Sequence, residues 1–220
     1  MAKEKKEDKS NLKENSSFKE KITKLWKKFW YLIWEDESLL GWIFSLMFAF
    51  VTIKFVFFPA LSFVFGTSMP LVVVESASMH HPGNFMLNYL GSDRLFIEWW
   101  QEFQERYQEF GIAQEQATNW PLKNGLEVGD VIVVWRANNL NLGDIIIFEG
   151  NQRYPIIHRI VYISEVNGKK VYSTKGDNNP GQLPVEQRIP EDAIIGKAIF
   201  RIPLIGWVKL IFVRILDLIR

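Results

Sequence analysis

The chain of 220 residues contains no cysteine, which excludes disulfides, thiolate metal sites and a cysteine nucleophile. That absence does not identify a compartment, because extracytoplasmic proteins can do without disulfides. Net charge is nearly absent too: 26 Lys and Arg against 25 Asp and Glu leave +1. A nucleic-acid partner therefore has no electrostatic footprint in the composition. Residues 1–20 have almost nothing apolar. Such a segment cannot offset the entropy of ordering, so a disordered tail is expected. Between Ser38 and Val74 it is charge that is missing, and Lys54 is the sole charged residue.

What is there follows from those gaps. Residues 1–28 hold ten lysines and five acids, a local excess of +5. From Lys21 to Trp34, Ile22, Leu25, Trp26, Phe29 and Trp30 share one helical face opposite lysines, a basic amphipathic lead-in to a membrane over 21–38. The apolar run 39–61 is long enough, at about 1.5 Å per residue, to cross a hydrocarbon core of about 30 Å. It predicts one uncleaved transmembrane helix, since its polar leader is too long for a signal peptide. The lysine excess before it predicts a cytoplasmic N-terminus and an extracytoplasmic remainder. Lys54 falls toward the outer end, where its ammonium can snorkel. Pro59 and Pro70 are expected to mark the helix exit and the start of extended chain.

The extracytoplasmic part, 62–201, divides by periodicity. Apolar residues at 95, 96, 99, 100, 103, 107 and 110 have the spacing of an amphipathic helix with Ser92 as cap and Gly111 as stop. Glu98, Glu102, Glu105 and Glu109 make its polar face acidic, which disfavours anionic lipid and favours packing on the domain. This helix and a short second one ending at Pro121 form an insertion over about 84–125, expected to act as a flap beside a cleft. From Leu126 onward, short Val/Ile/Tyr runs alternate with Gly-Asp and Asn-Gly turns, which predicts a meandering, strongly twisted sheet or partly open barrel. The pattern Gly-Asp-[Val/Ile]-Ile at 129 and 143 is turn chemistry rather than a repeat. Residues 202–220 are apolar except for Lys209, Arg214, Asp217 and Arg220 in one stripe, an amphipathic helix suited to a membrane surface or to packing against the anchor, its length and charge disfavouring a second crossing.

The chemistry-bearing stretch is LVVVESASMHHPG, residues 71–83, where a strand delivers serines to a loop. Two others accompany it: Ile157-His158-Arg159 within a strand, and Lys175-Gly176-Asp177-Asn178-Asn179 after another. A serine hydroxyl needs a base to take its proton, and an imidazole is suited to that at neutral pH. A carboxylate on the other ring nitrogen would fix the tautomer. His80 and His81 are adjacent and should point apart, so no metal site is expected from them.

The words SASMHHPG, GDIIIF followed by PIIHRIV, and TKGDNNPG stand in that order after an N-terminal anchor. Together they resemble the type I signal peptidases, in the archaeal and endoplasmic-reticulum branch that carries histidine where bacterial enzymes carry lysine. The resemblance covers about 39–206 and lapses over about 84–126. It implies a mainly β, signal-peptidase-like twisted sheet or partly open barrel with an N-terminal transmembrane helix, a helical insertion and a C-terminal amphipathic helix. It further implies a membrane-anchored serine endopeptidase that removes signal peptides from secretory preproteins without a cofactor or metal. The cell membrane or the endoplasmic-reticulum membrane would hold it, with a translocon or other processing subunits as partners. Carried over by position, it makes Ser78 the nucleophile, His158 the general base, and Ser76 with the Ser78 amide the oxyanion hole. Substrate would pair as an added strand along Val72, Val73, Val74 and Glu75, with Met79 a core or pocket-wall residue. Leu183 stands where the family has a second aspartate. Asp177 is the first choice for the third member, with Glu186 and Asp192 in reserve. The rival reading is a non-enzymatic membrane-anchored β-domain subunit.

Overall fold

The computed structural model describes residues 2–83, 85–150 and 154–219, with side chains from residue 18 except at 85 and 219. Two units divide at residue 60. In the first, helix α1 (Ala2–Trp34) precedes α2 (Leu39–Thr52). The backbone is helical from Ala2. Ser38 caps α2 by accepting from the Gly41 N–H at 3.1 Å. Phe29 packs on Phe44 and Phe48, and the Ser45 hydroxyl donates to the Ile33 carbonyl at 2.7 Å.

The apolar helical stretch runs from Leu39 to Phe65, 27 residues with mean hydropathy 2.1, and is the one among the described residues long and apolar enough to span a membrane. A π-helical turn, Ile53–Phe57, interrupts it, followed by α3 (Phe58–Phe65). Pro59 therefore does not end the helix. It sits in the first turn after that wider turn, where a missing N–H is tolerated. The stop comes at Gly66, with φ +64°.

In the second unit, seven antiparallel strands form one sheet in the order β1-β2-β7-β3-β4-β5-β6. They are β1 (Leu71–Val73), β2 (Val131–Trp135), β3 (Ile145–Phe148), β4 (Ile156–Val166), β5 (Lys169–Lys175), β6 (Ile189–Pro190) and β7 (Ile194–Ile202). Asn167 and Gly168, at φ 54° and 76°, close the β4–β5 hairpin as an Asn-Gly turn should. The two Gly-Asp turns share one device, in which Asp130 accepts from the Glu127 N–H and Asp144 from the Asn141 N–H, each at 2.9 Å. Both turns launch a strand, β2 and β3.

Between β1 and β2 lie α4 (Phe85–Tyr89), α5 (Asp93–Phe103), α6 (Glu105–Gln108) and α7 (Gln114–Ala117). The long helix expected to reach Phe110 breaks at Gln104, yet the apolar face is as read. Phe96, Trp99, Trp100, Phe103 and Tyr107 are buried in one aromatic cluster with Ile112 and Trp120. Val161 joins that cluster because a bulge in β4, where Ile160 pairs with Thr174 but Tyr162 with Ser173, turns it toward the helices. Asn84, the first residue of the expected insertion, lies outside the described residues. Helix α8 (Trp207–Ile219) carries Val208, Ile211, Phe212, Ile215 and Leu216 exposed. Arg220 also lies outside the described residues.

Candidate active site

Among the described residues strand β1 is an edge strand, pairing only with β2 through Leu71–Val133, Val72–Ile132 and Val73–Val131. Its outer edge is the kind of row of backbone groups that accepts a further strand. Val72 and Val73 are half-buried and Glu75 is exposed, whereas Val74 and Met79 lie in the core cluster with Leu126 and Ile132. Past β1 the chain leaves the sheet, and the Ser76 and Ser78 hydroxyls come to 3.1 Å from each other.

A second loop, following β5, braces the first. The Asn178 N–H donates to the Ser78 carbonyl at 2.8 Å, Asn178 Nδ2 to the Ala77 carbonyl at 3.0 Å, and the Asp177 N–H to Met79 Sδ at 3.4 Å. The same loop walls His158. A Cβ on Gly176 would stand 2.9 Å from His158 Nε2, so glycine is what lets backbone approach that nitrogen. Ser78 and His158 thus face one segment, 176–178, from two sides. Among the described residues no hydrogen bond joins them directly, and the Ser78 hydroxyl is bonded to Ser76.

On its other nitrogen, His158 Nδ1 donates to the carboxylate of Glu186. Glu186 is fully buried and also accepts from the Thr174 hydroxyl at 3.1 Å and the Leu183 N–H at 2.6 Å. A carboxylate so placed fixes Nδ1 as the protonated nitrogen and leaves the Nε2 lone pair on the side of the Gly176 loop. Asp177, the expected partner of His158, is engaged elsewhere. Its carboxylate accepts from Arg159 Nε at 2.9 Å and Nη2 at 2.7 Å, from His81 Nε2 at 2.9 Å and from the Tyr107 hydroxyl at 2.9 Å. Burial by itself would raise this carboxyl. The Arg159 guanidinium, with the hydrogen bonds from His81 and Arg159, outweighs burial and holds it well below the usual carboxylate range. Asp192 is exposed on a one-turn helix, Glu191–Ala193.

The two adjacent histidines do point apart: His80 Nδ1 bonds Glu127 at 2.8 Å, while His81 turns inward to Asp177 and stacks on Trp99 at 3.7 Å. Burial pushes His81 toward its neutral form, against the pull of Asp177. No group of His, Asp and Glu able to hold a metal occurs among the described residues.

Sequence reasoning ranked Glu186 below Asp177 and passed over Thr174, Tyr107 and Lys175. A signal for Glu186 was present in Leu183-Pro184-Val185-Glu186. Proline at the first position of a turn and glutamate at the third form a helix start, here Pro184–Glu186, that folds the carboxylate back to the Leu183 N–H.

A loop serine beside a second hydroxyl, and a buried histidine held at Nδ1 by a carboxylate, are the parts a serine-type hydrolase uses. Similar proteins are named as catalytic subunits of a peptidase. Signal peptidase complex catalytic subunit SEC11 of Lachancea thermotolerans is 35% identical over 92 residues, 37% of this chain and 55% of the relative. The subunit of the same name from Colletotrichum graminicola is 30% identical over 92 residues, 38% and 54% of the two chains. That of Candida tropicalis is 40% identical over 53 residues, 23% and 32%. The chain spans about half the length, or less, of these relatives. No protein-family model matches it. The chain thus has homologues among catalytic subunits of the signal peptidase complex, and its half-open antiparallel sheet is consistent with the fold expected of them.

Proposed function

We propose that the chain is a membrane-anchored serine endopeptidase that cleaves signal peptides from secretory preproteins. The observation that carries the reading is the His158–Glu186 pair, with the open imidazole nitrogen facing the loop bonded to Ser78. In the reaction, the Ser78 hydroxyl gives its proton to His158 Nε2 as Oγ attacks the scissile carbonyl carbon. The Ser78 N–H and the Ser76 hydroxyl donate to the oxyanion. Collapse breaks the C–N bond, and His158 returns the proton to the leaving amine. Water then repeats the cycle on the acyl-enzyme. Glu186, rather than Asp177, orients the base and steadies its cation.

Peptide substrate adds as a strand along the open edge of β1, with Val72 and Val73 shaping shallow pockets. Helix 39–65 spans the bilayer, the lysine-rich side cytoplasmic, and the exposed apolar faces of α1 and α8 lie at its surfaces. Confinement to the membrane then supplies what affinity need not. The names of the relatives support a place within a processing complex. A second reading, a non-enzymatic subunit, is favoured by the Ser78 hydroxyl being bonded to Ser76 rather than to His158. Cleavage of a preprotein by the full chain in membranes separates the two. The wild type should cut and Ser78→Ala and His158→Ala should not, both variants remaining folded; cleavage by either variant overturns the mechanism, and an inactive wild type favours the second reading.

A further inference from the structure

Segment 176–179 lies between cations and the serine loop, and its peptide units are polarised accordingly. Its N–H groups at 177 and 178 point to Met79 and Ser78. Its carbonyls point the other way. Gly176 O accepts from Lys175 Nζ at 2.9 Å, and Arg106 Nη1 reaches the carbonyls of Asn178 at 3.3 Å and Asn179 at 3.4 Å. The Gly176–Asp177 peptide is therefore fixed at both ends, its oxygen on an ammonium and its N–H on the residue after Ser78.

Lys175 is wholly buried and, among the described residues, has no carboxylate in ion-pair contact. What covers it is the Tyr107 ring, 4.7 Å from Nζ. The charged groups around it are Asp177 in its own loop, Glu186 from the turn after β5, Arg106 and Glu109 from the helical insertion, and Arg159 paired with it across β4. Trp120, a neighbour of Tyr107, covers that arginine at 4.9 Å. The insertion thus places aromatic faces over two buried cations that flank His158 and Gly176.

We propose that Lys175, retained as an ammonium under the Tyr107 ring, is a positioning residue that orients the Gly176–Asp177 peptide and so sets Ser78 against His158. The proposal rests on the Ser78–His158 reading above. Burial pushes the Lys175 amine down to about 8, Arg106 adding to the effect and Asp177, Glu186 and Glu109 opposing it. The sign follows: charge is present at neutral pH and lost on going alkaline, so kcat should fall above about pH 8 while KM, set along β1, should not change.

The test is preprotein cleavage by the full chain across pH 6.5–9.5, with thermal unfolding as a control for folding. Lys175→Met should lower kcat on the order of 10- to 100-fold at pH 7, and the ratio to wild type should shrink toward pH 9.5. Tyr107→Leu, which removes the ring, should move the alkaline limb to lower pH, and Tyr107→Phe, which keeps it, should leave the limb in place. Unchanged kcat in a folded Lys175→Met overturns the proposal. If that variant does not fold, the tyrosine pair decides, and limbs at the same pH in both overturn it. Failure of the Ser78–His158 reading is distinct, since it shows as activity surviving in Ser78→Ala.

Discussion

Two buried histidine–carboxylate pairs lie close to the same loop, and they hold their imidazoles by different nitrogens. In His158–Glu186 the carboxylate holds Nδ1, and Nε2 opens toward Gly176, in the loop whose Asn178 N–H bonds the Ser78 carbonyl. In His81–Asp177 the carboxylate holds Nε2 itself, Nδ1 is buried without a partner among the described residues, and the ring is stacked on Trp99. The acids differ as much as the rings. Glu186 takes its remaining bonds from a hydroxyl and a backbone N–H, whereas Asp177 neutralises Arg159. One pair leaves a nitrogen facing the Gly176 loop; the other joins the serine loop, β4 and the insertion. Burial and a nearby acid do not by themselves make a general base. The nitrogen left over does.

The largest effect should come from breaking the first pair by its tautomer. Glu186→Gln can present an amide N–H to His158 Nδ1, which would place the imidazole proton on Nε2 and remove the acceptor for the Ser78 hydroxyl. Changes of this kind cost on the order of 10⁴-fold in kcat. We expect such a loss in preprotein cleavage with thermal stability near that of wild type. Full activity in Glu186→Gln would return the orienting role to another acid.

Asp177→Asn should act on the second pair in the opposite way. It leaves Arg159 buried without its counter-charge, and breaking a buried ion pair costs about 3–5 kcal/mol. Denaturant unfolding of the full chain should register that loss, with activity per folded molecule reduced far less than in Glu186→Gln. A variant of unchanged stability and no activity would make Asp177 the catalytic acid and dissolve the contrast.

The sheet and the serine loop were legible because their signals are local. An Asn-Gly turn, alternating Val/Ile runs and the i, i+3, i+4 spacing of Trp99, Trp100, Phe103 and Tyr107 each fix structure within a few residues. Which acid meets His158 was not, because Asp177 and Glu186 are nine positions apart on one connection and the choice depends on where Pro184 sends the chain back. The break at Gln104 and the helix running past Pro59 were hidden for a related reason, since tertiary contacts and a π-helical turn override local preference. The aromatic insertion looked like a flap by periodicity. Its ties, Tyr107 to Asp177 and Arg106 to the carbonyls at 178 and 179, make it part of the wall behind the site.

The smallest effect sharpens the comparison through pH. His81 has its folded-state pKa lowered from 6.5, because burial disfavours the cation more than Asp177 favours it. A base whose pKa is lower folded than unfolded binds fewer protons in the native state, so stability is full above pH 6.5 and declines as pH falls below it. His81→Phe keeps a ring for Trp99 and removes the titration. It should lower stability at pH 7.5 by about 1.5–3 kcal/mol, as expected for one hydrogen bond to a charged group. It should also flatten the acid side of the stability profile between pH 6.5 and 5. Activity per folded molecule should fall far less in this variant than in Glu186→Gln, because His81 is bonded to Asp177 through Nε2 and stacked on Trp99. If cleavage per folded molecule were lost in His81→Phe as in Glu186→Gln, the two histidines would be exchanging roles, and the distinction by open nitrogen would fail.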